Sequence, residues 1–132
     1  MGILINPSLD IDVIDIHDKG DGRTLLLNVD IEGNSYSIIN IYAPNYVNNR
    51  ASYFDSMYEW VSYKAMSPNN MIIAGDFNCC LNDTDRTSNT HLNDKSRICM
   101  RNFMSKLKVQ DIWNSSNIQK MGEMYTWNDS QT

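Results

Sequence analysis

The sequence predicts a mixed α/β fold. Three observations predict it: β-rich runs crowd the first third of the chain, two later segments carry apolar residues at helical spacing, and a short wholly apolar run falls between those two segments. Strands first, then strand and helix alternating, is the order expected when helices cover a sheet. At 132 residues the chain has the size of a single domain, residues 1–132, since one core usually organises about 100 to 200 residues.

Ile3 to Ile5 opens the chain in an apolar segment that reads as a buried strand. Ile11 to Ile16 alternates apolar with acidic residues, the pattern of a half-buried strand, and Asp18 to Gly22 is a polar turn. Thr24 to Ile31 and Tyr36 to Tyr42 are two further β-rich runs, joined through Glu32-Gly33-Asn34 as a hairpin. These strands are expected to pair antiparallel. Between Arg50 and Met66, the residues Phe54, Met57, Tyr58, Val61 and Ala65 line one face of an amphipathic helix, ended by Pro68 and the two asparagines after it. Met71 to Ala74 is wholly apolar, as in a central strand covered on both faces, and Gly75 lets the backbone turn or be approached at its end. A polar loop runs from Asn82 to Asp94. Met100, Phe103, Met104 and Leu107 then repeat the helical spacing, with Asn93, Asp94 or Ser96 available as the cap. Val109 to Trp113 and Met124 to Trp127 are short segments expected to return to a sheet. Strand-like residues stand close to Met1 and to Thr132, so a domain truncated at both ends, with exposed sheet edges, is expected.

Composition excludes several classes. Hydrophobic residues make up 42% and charged residues 20%, which fits a globular chain and not a disordered one. The net charge of −5 gives no bulk attraction to nucleic acid or acidic membrane, so any phosphate contact must be a local patch. Cys79, Cys80 and Cys99 suit neither a disulfide framework nor a paired zinc site and are expected to be reduced structural thiols. No apolar run approaches the roughly 18 residues of a membrane helix, and Met1 to Leu9 lacks the regions of a signal peptide. The Gly2 start does not meet the myristoylation pattern because Asn6 stands where Ser or Thr is required. The expectation is an intracellular protein, nuclear or cytoplasmic, with the sequons at Asn82, Asn114 and Asn128 unglycosylated.

The sharpest local feature is Gly75-Asp76-Phe77-Asn78 at the exit of the apolar strand. Alternation along an extended chain would put Asp76 and Asn78 on one side and Phe77 on the other as an anchor. Phosphodiester hydrolysis needs an acceptor to hold or deprotonate a water and neutral groups to orient it, and Asp76 with Asn78 can supply these. Asp and Asn after a strand also make an ordinary turn, and by themselves the residues fit either. Asn40-Ile41-Tyr42-Ala43-Pro44-Asn45 is a second strand with an abrupt stop. Tyr42 can offer a phenol and Asn45 an amide at the same sheet edge if the two strands are neighbours; equally, they are a strand aromatic and a turn residue.

Together, N-I-Y-A-P-N at Asn40 to Asn45, G-D-F-N at Gly75 to Asn78, L-N-D-T-D-R with Leu81, Asp85 and Arg86, and Y-T-W at Tyr125 to Trp127 resemble the endonuclease/exonuclease/phosphatase family. The likeness is to the apurinic-type endonuclease domain at the start of the reverse-transcriptase polyprotein of LINE-type non-LTR retrotransposons, and spans Gly2 to Thr126. The resemblance implies a four-layered α/β sandwich, with two packed mixed or antiparallel sheets and outer helices, and divalent-metal-dependent phosphoester hydrolysis with Mg2+ or Mn2+. It implies that Asp76 positions or deprotonates the attacking water, that Asn78 orients it, and that Tyr42 stands beside the scissile phosphate. Asn45 would help shape the same site, Arg86 is the candidate phosphate contact, and Thr126 would face nucleic acid. DNA is the implied partner, with a reverse-transcriptase domain in the parent polyprotein and no membrane.

The family's first strand with its Asn, its metal-binding glutamate, and its terminal R-I-D strand with an aspartate–histidine pair have no counterpart between Met1 and Thr132. Asp76 is then a candidate metal ligand with the main ligand missing, and magnesium, which favours octahedral oxygen ligation, would be held poorly. The chain by itself is expected to be weak or inactive. A phosphoesterase of the same fold acting on inositol phosphate or lipid, and a non-catalytic remnant, are the competing readings. His17, in a polar turn, and His91, in the later loop, read as surface histidines. Arg97, Arg101, Lys106 and Lys108 read as a solvated helix face, and Trp60, Trp113 and Trp127 as core aromatics that could otherwise stack bases.

Overall fold

The computed structural model describes residues 1–82 and 94–112. Four strands, β1 (Ile11–Asp18), β2 (Thr24–Ile31), β3 (Asn34–Tyr42) and β4 (Met71–Asp76), form one sheet in the order β1-β2-β3-β4, with helices α1 (Val47–Lys64) and α2 (Lys95–Leu107). The three strands expected to pair antiparallel, β1, β2 and β3, do so, and β4 adds to β3 in parallel, so the sheet is mixed. A parallel pair cannot be closed by a tight turn, and α1 supplies the crossover.

The hairpin sets the register. Glu32 and Gly33 both have positive φ, 53° and 80°, as a type I′ turn requires, and Ile31 pairs with Asn34 across it. Counting back along both strands places Thr24 opposite Ile41. On one sheet face Leu26, Ile39 and Ile41 meet Tyr53, Phe54, Met57 and Val61 of α1, and Met100, Phe103 and Leu107 of α2 complete the same core. The Phe54 and Phe103 rings lie 6.1 Å apart between the two helices.

Helix α1 begins at Val47, ahead of the expected Arg50, and its N-cap, Tyr46, makes no side-chain cap bond. Its first turn lacks the apolar repeat by which a helix is read. Its end comes before Pro68 and is fixed by Asn28 instead. Asn28 Nδ2 donates to Lys64 O (2.9 Å), and its Oδ1 accepts from Met66 N (3.1 Å) and Ser37 Oγ (2.7 Å). Asp94 caps α2 by accepting from Ser96 N, one of the three residues expected for that role.

Four expectations fail. Ile3 to Ile5 is not a strand; Leu4 is wholly exposed. β1 is an edge strand with a bulge between Val13 and Asp15, and Val13, Ile14 and Ile16 are exposed where half-burial was expected. β4 lies at the other edge of the described sheet, with Ile72 exposed, and is not covered on both faces. Val109 to Ile112 is irregular, while Trp113 and the segment Met124 to Trp127 lie outside the described residues. Among the described residues no helix is long and apolar enough to cross a membrane.

The sheet's second face is different in kind. The registers align Ile16, Leu27, Ile38 and Ile72 in one row across all four strands, on the side opposite α1. Leu27 is buried within it, but Ile16 and Ile72, at the two ends of the row, are open.

Candidate functional site

Parallel strands bring their C-terminal ends together, and β3 and β4 do so with Tyr42 aligned to Asp76. The ladder continues one step further, Ala43 N donating to Asp76 O at 2.8 Å. Gly75 makes the approach possible. Its φ is 127°, and a Cβ there would stand 2.0 Å from the carbonyl oxygen of Ile41, so no side chain fits between the strands.

Past the strand end, Asp76 Oδ1 accepts from Asn78 N (2.9 Å), and Asn78 takes a left-handed φ of 46°. The pairing of Asp76 with Asn78 thus comes from an Asx turn and not from strand alternation, so the turn reading and the site reading describe the same geometry. Asn78 Nδ2 donates to Ala43 O (2.7 Å) and to Asn45 Oδ1 (2.9 Å). The carbonyl of Ala43 can only accept, which fixes the orientation of the Asn78 amide and makes Asn45 the acceptor. Asn78 therefore stitches the two motif segments together, and its Oδ1 is the end of the amide suited to orient a water. Asp76 is exposed beside it, while Phe77 packs against the core as the expected anchor.

Tyr42, also exposed, is flanked by a residue that motif reasoning missed. Arg23 lies over the Tyr42 ring at 5.1 Å and donates from Nη1 to Tyr42 O at 3.2 Å. The signal was in the hairpin, since the same register count that pairs Thr24 with Ile41 brings Arg23 against Tyr42.

A second missed group lies underneath. Arg50, a helix residue with no expected role, is 4% exposed and ion-paired to Asp94 at 2.6 Å. Its Nη1 donates to Asn45 O (2.8 Å) and Pro44 O (3.2 Å), and its Nε to Ser96 Oγ (2.7 Å). Ser96 Oγ also bonds Asp94 Oδ1 and lies 3.5 Å from Cys79 Sγ. Burial pushes the Asp94 carboxyl up, but hydrogen bonds from Ser96 and Arg50, with the guanidinium charge, outweigh it and hold the group below its ordinary value. Burial likewise pushes the Cys79 thiol up, which suits an inert structural thiol.

The structure thus brings together Tyr42, Asn45, Asp76 and Asn78, while Arg86 and Thr126, with Asp85, His91 and Trp127, lie outside the described residues. His17 is in β1 and not in a turn, its Nε2 3.2 Å from Asp15. Arg101 donates to Leu81 O, Lys106 lies over the Tyr58 ring and the Lys108 backbone N–H closes the α2 C-cap, while all three residues stay exposed as on a solvated helix face. Trp60 packs against the core, and Cys79, Cys80 and Cys99 are not joined in disulfides.

Among the described residues no three His, Cys, Asp or Glu side chains gather as a metal set. The site offers the Asp76 carboxylate with amide oxygens around it, which does not by itself fit a magnesium ion's need for a near-complete octahedron of oxygens.

No protein-family profile matches the chain. The "Transposon TX1 uncharacterized 149 kDa protein" of Xenopus laevis is 31% identical over 104 residues, which is 79% of this chain and 8% of that protein. The chain therefore spans a small part of the relative's length. Among solved structures, beta toxin of Staphylococcus aureus overlaps 67% of this chain and 30% of its own, at 13% identity and a TM-score of 0.45.

Proposed function

We propose that this chain is part of a phosphodiester-hydrolysing domain of the endonuclease/exonuclease/phosphatase type, carried by a retrotransposon polyprotein, and that its substrate is DNA. The observation that carries the reading is the hydrogen-bonded convergence of Asp76, Asn78 and Asn45, with Tyr42 alongside, at the C-terminal ends of the two parallel strands. Crevices at strand C-termini are where open α/β sheets bind ligands. Similarity to a transposon protein points the same way.

In this reading Asp76 accepts a proton from, or holds, the attacking water, and the Asn78 Oδ1 aligns it; Tyr42 and Arg23 border the phosphate. Magnesium or manganese would polarise the phosphoryl group in the intact domain, and its remaining ligands must come from beyond the described residues. The open apolar row from Ile16 to Ile72 supports a four-layered sandwich in which a second sheet covers that face. DNA is the partner, with a reverse-transcriptase domain elsewhere in a nuclear or cytoplasmic polyprotein; at net charge −5 binding falls steeply with salt.

The test is nicking of supercoiled plasmid by the purified chain, with and without magnesium, beside Asp76→Ala. Activity of the chain alone is expected to be weak, and the deciding result is whether it needs both magnesium and Asp76. Nicking that is absent, or equal in both proteins, together with amide resonances near Asp76 unmoved by millimolar magnesium, would instead identify a non-catalytic remnant.

A further inference from the structure

Arg50 stands where α1 should carry an apolar residue. It precedes Tyr53, Phe54, Met57 and Val61 by three, four, seven and eleven positions, on the face those buried side chains share. A guanidinium placed there must be desolvated, which is unfavourable unless nearly every donor finds an acceptor. Here the donors do, and their acceptors belong to separate segments: Pro44 and Asn45 after β3, and Asp94 with Ser96 at the start of α2. Ser96 in turn touches Cys79, the residue after Asn78. An apolar side chain would fill this space and join none of these segments.

We infer that Arg50, locked by Asp94 and Ser96, is a positioning residue: it holds the Pro44 and Asn45 carbonyls so that Asn45 Oδ1 meets Asn78 Nδ2. The inference rests on reading Tyr42, Asn45, Asp76 and Asn78 as a site. Order passes from Arg50 to the Asn45 backbone, from the Asn45 amide to Asn78, and from Asn78 N to Asp76. Arg50 touches no reacting atom in this arrangement. The planar fork is what the role requires, because the bonds diverge from Nε, Nη1 and Nη2, and the single ammonium of a lysine cannot span them.

The test compares Arg50→Lys with Val61→Ala in the whole chain, by NMR of the side-chain amides of Asn45 and Asn78. Val61 lies further along the same helix, about 16 Å from Arg50 at the usual rise per residue, and its truncation loosens the core without reaching the loops. Arg50→Lys is expected to shift both amide signals and speed exchange of the Asn78 Nδ2 protons at least about tenfold, with backbone signals of β2 unmoved. Val61→Ala is expected to lower the melting temperature and leave the two amides in place. Unmoved amides in a folded Arg50→Lys protein, or equal movement in Val61→Ala, overturn the inference. If Arg50→Lys does not fold, Ser96→Ala decides by the same signals, and failure of both to fold assigns the cluster to general stability and overturns it as well. Plasmid nicking is scored separately. Amides that respond to Arg50 in a chain with no Asp76-dependent nicking leave the positioning role standing and remove the nuclease reading. Where nicking is present, Arg50→Lys lowers kcat and leaves KM within a few-fold, as expected when alignment and not binding is lost.

Discussion

Gly75 shows how much one residue can decide. Any Cβ at that position would meet the backbone carbonyl oxygen of Ile41 at 2.0 Å, and the φ of 127° is one that residues with a side chain rarely adopt. Gly75→Ala is expected to destabilise the chain by at least about 2 kcal/mol through combined strain and displacement of β4; a urea midpoint equal to the parent's would contradict this. Asp94 is decided by charge instead. Its carboxyl ordinarily titrates at 3.8, and in the folded chain it is held lower, burial being outweighed by the Ser96 and Arg50 bonds. A folded value below the unfolded one contributes stability that is complete above pH 3.8 and is lost as pH falls through the folded value. Asp94→Asn should therefore flatten the acid limb of the stability curve below that pH, leaving the slope from Asp21, whose carboxyl is also lowered. It should also lower stability at neutral pH by on the order of 3 kcal/mol, because Arg50 is left buried without its partner. An acid limb unchanged in the variant would show that the pair does not govern it.

At the scale of elements, what the sequence disclosed was local. β-rich composition found β2 and β3, helical spacing found α1 and α2, and Glu32-Gly33-Asn34 found the hairpin, because each pattern reports on neighbours in the chain. Position within the sheet is not local. The apolar run Met71 to Ala74 reads the same in a central strand and in an edge strand, so its place at the edge of the described sheet was not legible. The same limit governed the site. Tyr42, Asn45, Asp76 and Asn78 were found as residues that end strands, but that Asn78 bonds both Asp76 and Asn45, with Tyr42 alongside, depended on β3 and β4 being parallel neighbours. Arg50 was missed because an arginine on an amphipathic helix reads as solvated surface. Asn28 was missed because an asparagine inside a strand signals nothing until α1 folds over it. Its amide joins β3 to the end of α1. Asn28→Ala should cost about 1 to 3 kcal/mol, the range for buried groups left unpaired, and should release the Met66 amide to fast hydrogen exchange. A Met66 amide still protected in the variant would mean that packing alone ends the helix.

For the whole molecule the asymmetry between the two sheet faces is the governing fact. One face is sealed by α1, while the other carries Ile16, Leu27, Ile38 and Ile72 in a row that is open at both ends. Tyr42 and Asp76 extend that same face to the ends of their strands, since Ile38 aligns with Ile72 and Tyr42 with Asp76 two steps of alternation further on. The candidate site and the open apolar surface are thus parts of one face. A second sheet packed on it would bury the row and wall the site on its remaining side, which is where the four-layered reading places the missing ligands. If that reading holds, this chain should bind the dye ANS through the open row. Ile16→Lys with Ile72→Lys should then reduce the dye's emission by more than about half while changing stability little, as substitutions at exposed positions usually do. In a longer chain that adds the second sheet, a cysteine placed at Ile72 should react with maleimide at least about tenfold more slowly than in this one, scored by peptide mass because Cys79, Cys80 and Cys99 react too. Equal labelling rates at position 72 in the two chains would leave the row uncovered, and the face would then need another explanation than a second sheet.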